Sequence, residues 1–206
     1  IIILIKRSSK KYIDNLLDNN ADWKILDIGC GYTAHKNATV ICDIQDLSNF
    51  YQDKKFIQLT DEVLPFKDKE FDFVIASHVI EHVKDVNSFI KELVRVSKKG
   101  YIELPTILED NLLFENKKDH LWQAEFDDVE EELLISRKIQ FIEPVLTVST
   151  IKDFSNYFRQ SLIIELYWEN SIEYKIIEKK FENFKKFSRL ILLRKFFSKL
   201  IRNILR

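Results

Sequence analysis

The stretch Leu26-Asp-Ile-Gly-Cys-Gly31 decides the fold. It completes a mostly apolar run that begins at Trp23 and predicts a buried strand, and its two glycines allow the backbone to turn tightly where that strand ends. Glycines in this position also let a ligand approach the backbone without a Cβ in the way. The motif therefore predicts a strand, a tight turn and a ligand-binding edge.

The acids near this turn indicate what kind of ligand would bind. Asp27 lies two residues before Gly29, and an acid there is unfavourable beside a pyrophosphate but suits a cationic ligand. Asp43 follows a second predicted strand, Ala38–Cys42, and an acid in that position can accept both hydroxyls of a ribose that lacks a 2′-phosphate. A solvated aspartate at a strand end is the alternative interpretation of Asp43.

Strands and helices alternate along most of the chain. This pattern predicts an α/β fold with a doubly wound, Rossmann-like sheet. Two β-rich runs, 162–168 and 172–177, flank Glu169-Asn-Ser171 and predict a terminal antiparallel hairpin that completes a seven-stranded mixed sheet. Residues 105–145 show no clear period and are interpreted as an insertion over the acceptor site. The predicted domain covers residues 1–178, and residues 179–206 are predicted to contain a separate basic amphipathic helix.

Three further segments carry a resemblance to a known family. The acid–LPF segment Thr60–Phe66, the strand beginning at Phe71-Asp72 and the sequence Glu81-His-Val83 resemble the small-molecule and glycan branch of the class I S-adenosylmethionine-dependent methyltransferases. The resemblance covers about residues 22–105. It implies S-adenosylmethionine as the cofactor, whose sulfonium and ammonium groups match the acid at Asp27.

The resemblance also implies positions for the cofactor contacts. Asp27, Gly29 and Gly31 would border the methionine end, Asp43 with Ile44 would lie at the ribose, Asp61 and Glu62 by the adenine, and Ser77 near the sulfonium. The chain departs from the family where Thr33 replaces a third glycine. The connection from Gly31 to Asp43 is also shorter than in the family, which predicts a very short first crossover helix.

Two histidines are the candidate catalytic bases. His78 follows the strand predicted to begin at Phe71, at the end where such sheets open onto their ligand crevice, and a hydroxyl acceptor benefits from a base. His120 lies in the insertion, close to Trp122, which could stack on a sugar ring or pack the insertion onto the sheet. His78, Glu81 and His82 have a spacing that can hold a metal. No metal is predicted, because His78 stands where the family has an acid.

Charge is distributed unevenly along the 206 residues. The net charge is −1, yet residues 178–206 contain ten Lys or Arg against two Glu. The remainder is acidic, which argues against nucleic acid as a partner of the catalytic part. The helical apolar spacing in residues 183–206 suits an anionic membrane surface, with docking on the domain or in a dimer as the alternative. Without a visible secretory signal or an apolar run of about 20 residues, a cytoplasmic location is predicted, peripheral to a membrane if the tail binds one.

These observations predict a methyltransferase that uses S-adenosylmethionine to O-methylate a sugar or glycan intermediate. A quinone or other lipid-like small molecule is the competing acceptor. A non-catalytic binding module that keeps the fold is a third interpretation.

Overall fold

The computed structural model describes residues 4–179 and 186–204. Six helices lie in these ranges: α1 (Lys10–Asp18), α2 (Val86–Val96), α3 (Ile107–Leu112), α4 (Asn116–Asp119), α5 (Val148–Leu162) and α6 (Arg189–Ile204). The strands are β1 (Leu4–Arg7), β2 (Ile25–Ile28), β3 (Val40–Asp43), β4 (Lys55–Gln58), β5 (Phe73–Ser77), β6 (Lys99–Pro105), β7 (Trp122–Asp127), β8 (Glu132–Arg137), β9 (Ile163–Glu169) and β10 (Tyr174–Ile176).

The main sheet has seven strands in the order β1-β9-β6-β5-β2-β3-β4. Strands β2 to β6 pair in parallel, and β9 pairs antiparallel with both β6 and β1. Apolar side chains from the two faces of the sheet fall into two clusters, one including residues of α1 and the other residues of α2. The prediction of a seven-stranded mixed α/β sheet is confirmed.

The predicted terminal hairpin is wrong. Only its first run joins the main sheet, as β9, while its second run becomes β10 and pairs in parallel with β8 of a separate three-stranded sheet. The edge position beside β9 is taken by the N-terminal strand β1. Ile5 is 1% exposed there. The strand next to β9 is therefore β1, whereas the prediction placed the second strand of the hairpin in that position.

The first crossover contains no helix at all. After β2 the chain runs through residues 29–39 as turns and irregular backbone before β3 begins. Its end is held by Thr39, whose side chain accepts a hydrogen bond from the Ile25 N–H and donates one to the Ile25 carbonyl, both at 2.9 Å. The predicted very short helix is therefore replaced by a loop, since a connection of this length can bridge two adjacent strands directly.

The insertion is more regular than its sequence suggests. Residues 105–145 contain α3, α4 and the antiparallel pair β7–β8. Buried apolar residues of that pair belong to the same core cluster as β9. The pairing of β8 with β10 joins segments that are distant in the chain, which local periodicity does not reveal.

Helix α6 is the most exposed element, and none of its residues is buried. The chain just before it is attached to the insertion, since Phe187 exchanges backbone hydrogen bonds with Phe141 and Glu143. Within the ranges that the structure describes, no helix combines the length and the hydropathy needed to cross a bilayer. Residues 183–185 and 205–206 of the predicted tail helix lie outside the described residues.

Candidate functional site

The glycine loop after β2 forms one wall of the site. Gly29 and Gly31 have φ angles of 65° and 48°, a left-handed conformation that glycine adopts without strain. A Cβ on Gly29 would lie 2.5 Å from Cγ2 of Val79, whereas one on Gly31 would meet nothing within 4 Å. Gly29 thus packs against the turn after β5, and Gly31 leaves open space beside the backbone.

Asp43 and Tyr51 hold this loop in place. The Asp43 carboxylate accepts hydrogen bonds from the N–H groups of Gly31 and Gln45, both at 2.9 Å. The Tyr51 hydroxyl donates to the Gly31 carbonyl at 2.8 Å and accepts from the Ala34 N–H at 3.0 Å. These contacts replace the support of a crossover helix. Sequence reasoning did not identify Tyr51, because its side chain reaches back to a loop that precedes β3.

A cavity of about 830 Å³ opens where β2, β5 and β6 end, within the size range of small-molecule sites. The predicted site residues that line it are Asp27, Gly29, Gly31, Ser77, His78 and His120. Asp43, Ile44, Asp61 and Glu62 do not line it. Asp43 lies directly behind the glycine loop, whereas Ile44, Asp61 and Glu62 are exposed.

Asp27 is a buried carboxylate facing this cavity. Its side chain accepts a hydrogen bond from the His35 N–H at 2.7 Å, and the residue is only 4% exposed. Burial raises its pKa to about 7, because the charged form loses hydration. A cationic ligand would restore the ionised form, so the environment of Asp27 fits a positively charged guest.

A polar network closes the cavity beside β6. Glu103 accepts hydrogen bonds from Ser77 and from Tyr101, and it pairs with Arg159 of α5. Arg159 also contacts Glu165 of β9 at 3.0 Å. Burial by itself raises the pKa of Glu103, but the Ser77 hydroxyl and the Arg159 charge outweigh it and lower that pKa. Arg159 was missed by sequence analysis, since nothing near it in the chain marks it.

His78 follows β5 directly and has a φ of 56°. Its Nδ1 lies 3.2 Å from Oε1 of Glu81. Burial lowers the pKa of His78, but its hydrogen bond to Glu81 and the nearby charges of Glu81, Glu103 and Glu109 outweigh this and raise the pKa above 6.5. The predicted base therefore lines the cavity, and its raised pKa favours the protonated form.

The insertion contributes a second acid–base candidate, Glu109 of α3. This residue is 6% exposed, lines the cavity and has a side-chain oxygen, Oε2, without a hydrogen-bond partner. Burial raises its pKa to about 7, near the value that suits a general base at physiological pH. Sequence analysis missed Glu109 because the insertion is rich in acids and only the fold distinguishes this one.

His120 lines the same wall, whereas Trp122 does not. His120 is 8% exposed, and its Nδ1 lies 2.6 Å from Oδ1 of Asp110. Trp122 is buried in the core, donates from Nε1 to the Val83 carbonyl at 2.8 Å and is covered by Arg137. Of the two interpretations of Trp122, the structure supports packing of the insertion onto the sheet and not stacking on a sugar.

The sequence matches a known family over the segment that forms the glycine loop, Asp27 and β5. Residues 26–102 fit the model of a methyltransferase domain. Over this segment the chain is similar to methyltransferase domains, as the sequence motifs predict. The match to a methyltransferase domain supports S-adenosylmethionine as the cofactor.

The individual proteins that this chain resembles share low sequence identity with it or match only part of it. An uncharacterized protein of Methanocaldococcus jannaschii, MJ0638, is 32% identical over 111 residues, which are 48% of this chain and 47% of that protein. The chain thus matches about half the length of this curated relative. The PH0226 protein of Pyrococcus horikoshii is 18% identical with a TM-score of 0.44, covering 79% of this chain and 92% of that one. A methyltransferase of Aquifex aeolicus is 12% identical with a TM-score of 0.42, covering 77% and 87%. Neither structure is similar enough to bear on the acceptor.

The residues around the glycine loop fit S-adenosylmethionine at its methionine end. The carboxylate of Asp27 matches the positive charge of S-adenosylmethionine, and the backbone of Gly31 borders open space. Asp43 retains lone pairs beyond those that accept the Gly31 and Gln45 N–H groups, so a ribose contact there is compatible with its role in the loop. Asp61 and Glu62, the predicted adenine contacts, lie on an exposed loop. Neither residue lines the cavity.

Proposed function

We propose that this chain transfers the methyl group of S-adenosylmethionine to a hydroxyl of a sugar or glycan intermediate. The observation that carries the proposal is the buried Asp27 carboxylate, which faces a cavity of about 830 Å³ beside the left-handed glycine loop. A buried acid whose pKa is raised to about 7 is costly to ionise without a cationic partner. The ammonium and sulfonium of the cofactor supply that partner.

The acceptor side of the cavity supports a polar substrate. Its lining includes His78, Glu109, Glu115, Asp119 and Arg159, groups that hydrogen-bond to hydroxyls. A quinone or other lipid-like acceptor would leave the buried Oε2 of Glu109, which has no partner within the protein, without a hydrogen bond, at a cost in binding free energy. The preference for a sugar now rests on this lining, because Trp122 belongs to the core.

In the proposed reaction the bound cofactor supplies an electrophilic methyl group on a sulfonium. The acceptor oxygen forms a bond to that carbon as the carbon–sulfur bond breaks, and the bonding pair goes to sulfur. His78 or Glu109 takes the hydroxyl proton. The walls hold the two reactants in line and exclude water, which is the main contribution of a protein to such a displacement.

The test begins with calorimetric titration of the chain with S-adenosylmethionine and S-adenosylhomocysteine. We expect micromolar binding that weakens about thirtyfold in Asp43→Ala, because the glycine loop loses the acceptor of its Gly31 N–H and must be ordered when the cofactor binds, at a cost of about 2 kcal/mol. Asp46→Ala, which changes an exposed acid shortly after Asp43, is the control and should bind as the wild type does.

Acceptor screening follows, with sugars and nucleotide-linked sugars tested first and quinones second. Methyl transfer to a quinone but not to any sugar would overturn the acceptor proposal. A folded wild type that binds neither cofactor nor its product would contradict the transferase and make the non-catalytic binding module the better interpretation.

We also propose that α6 associates with an anionic membrane surface. Seven apolar residues of this helix are each at least 43% exposed: Leu190, Leu193, Phe196, Phe197, Leu200, Ile201 and Ile204. Lys195, Lys199 and Arg202 occupy the opposite side by helical spacing, and residues 186–204 contain no acid. Such a helix suits negatively charged lipid headgroups.

Vesicle sedimentation tests this surface. The chain should bind phosphatidylserine-containing vesicles, and Lys195→Gln with Lys199→Gln and Arg202→Gln should weaken binding, by about 1 kcal/mol for each charge removed. A triple change of Lys67, Lys84 and Lys91 to Gln, all exposed residues of the main domain, is the control. Equal binding by both triple variants would contradict the proposal.

A further inference from the structure

Three side chains from two distant segments meet at the inner end of the insertion. Glu81 and His82 lie in the turn after β5, and His120 lies just before β7. One ligand atom from each falls within 4.8 Å of the others. The His82 and His120 rings meet edge to face, with their centroids 4.5 Å apart. The residues at 78–85 form no helix, so His120 rather than His78 completes this group.

Each of the two histidine rings has an oxygen atom of the protein close to its Nδ1. Nδ1 of His82 lies 3.1 Å from the Asp119 carbonyl oxygen, which can only accept, so Nδ1 carries the proton and Nε2 keeps its lone pair. Nδ1 of His120 lies 2.6 Å from Oδ1 of Asp110, an ion-pair distance whose alignment falls short of a hydrogen bond. Backing of imidazoles by carbonyl or carboxylate oxygens is characteristic of metal-binding histidines.

Glu81 supplies a buried carboxyl group, one oxygen of which lacks a hydrogen-bond partner. Its side chain is 1% exposed, and Oε1 lies 3.2 Å from Nδ1 of His78. Its other oxygen, Oε2, is buried and has no hydrogen-bond partner. Burying such an oxygen without a partner is unfavourable, and a cation held between Glu81 and the two imidazoles would remove that cost.

We propose that Glu81, His82 and His120 form a binding site for a divalent transition-metal ion of the zinc type. Two imidazoles and a carboxylate are the donor set that Zn²⁺ prefers, whereas Mg²⁺ favours oxygen ligands alone. His82 and His120 also line the cavity, so three protein ligands leave a coordination position open towards it. The ion's fourth ligand is an oxygen of water or of a hydroxylated molecule in the cavity. Metal binding at these three residues is independent of methyl transfer.

The experiment is zinc titration of tag-free, chelator-treated protein by calorimetry, with the metal content measured after dialysis. We expect one Zn²⁺ per wild-type chain and at least tenfold weaker binding in His82→Gln and in His120→Gln. His35→Gln is the matched control, because His35 pairs with Asp14 outside the cluster, and it should bind zinc as the wild type does. Mg²⁺ titration should give no comparable binding.

Circular dichroism checks that each variant is folded. His82 is exposed, so its substitution keeps the test decisive even where the buried His120 variant fails to fold. A folded wild type without stoichiometric zinc, or a His82→Gln variant that binds zinc as tightly as the wild type, would overturn the site. Cobalt substitution gives a second readout: visible absorption bands in the wild type should be lost or shifted in His82→Gln but not in His35→Gln.

Discussion

The two sides of the cavity are built in different ways. The cofactor side comes from one short stretch, residues 27–35, and is fixed largely by backbone hydrogen bonds to Asp27, Asp43 and Tyr51. The proposed acceptor side brings together Glu109, His120 and Arg159 from separate segments and depends on polar and ionisable side chains. Backbone groups that contact one ligand come from a contiguous stretch of the chain. Side chains that line one site can come from segments that are distant in the sequence.

Substitution of Gly29, on the cofactor side, should cause the largest loss of cofactor affinity. In Gly29→Ala the left-handed conformation costs about 1–2 kcal/mol, and the new Cβ would lie 2.5 Å from Val79. We expect about a hundredfold weaker cofactor binding by calorimetry. Gly31→Ala has a similar φ but open space, so it should lose less. Equal losses would show that conformation alone, and not the contact with Val79, fixes this wall.

Removing the Arg159 charge tests the acceptor side. Arg159→Gln leaves Glu103 and Glu165 buried without their cation, and we expect the free energy of unfolding to fall by about 2 kcal/mol, below the roughly 3–5 kcal/mol typical of a broken buried pair. The smaller loss follows because the Arg159 side chain is 34% exposed. Chemical denaturation measures the change. The control, Arg137→Gln, removes an exposed stacking contact on Trp122 and should cost less than about 1 kcal/mol.

The protonation of Asp27 should change cofactor affinity less than Gly29→Ala does, and its effects on stability and on affinity should have opposite signs. With a folded pKa of about 7 against an ordinary 3.8, the folded state holds a proton that the unfolded state releases, so this group makes stability fall as pH rises from about 4 to 7. Cofactor affinity should move the other way and rise by up to about tenfold from about pH 6 to 8, because only the ionised carboxylate pairs with the cation. Calorimetry and denaturation across this range measure both slopes.

Asp27→Asn is the variant that isolates this effect. It cannot ionise, so both pH slopes should flatten while the chain remains folded. If the affinity of Asp27→Asn still rises across the same pH range, another group, such as Glu109, governs the response.

The sequence by itself determined the parts of the molecule that depend on local rules. Apolar runs placed β2, β3 and β5 close to their observed bounds. The glycine motif predicted the ligand-binding edge because a left-handed turn restricts residue type. Asp27 was identified for the same reason, since its position relative to that turn fixes what it faces.

The tertiary structure alone decided the rest. It put β1 rather than a terminal hairpin at the sheet edge, because strand partners are chosen by burial over the whole fold and not by nearness in sequence. Only the fold shows that Glu109, among the acids of the insertion, is buried against the cavity. The fold also places Trp122 in the core. It brought His120 to Glu81 and His82 from a distant part of the chain, because cavity walls are set by packing between elements, which no local pattern encodes.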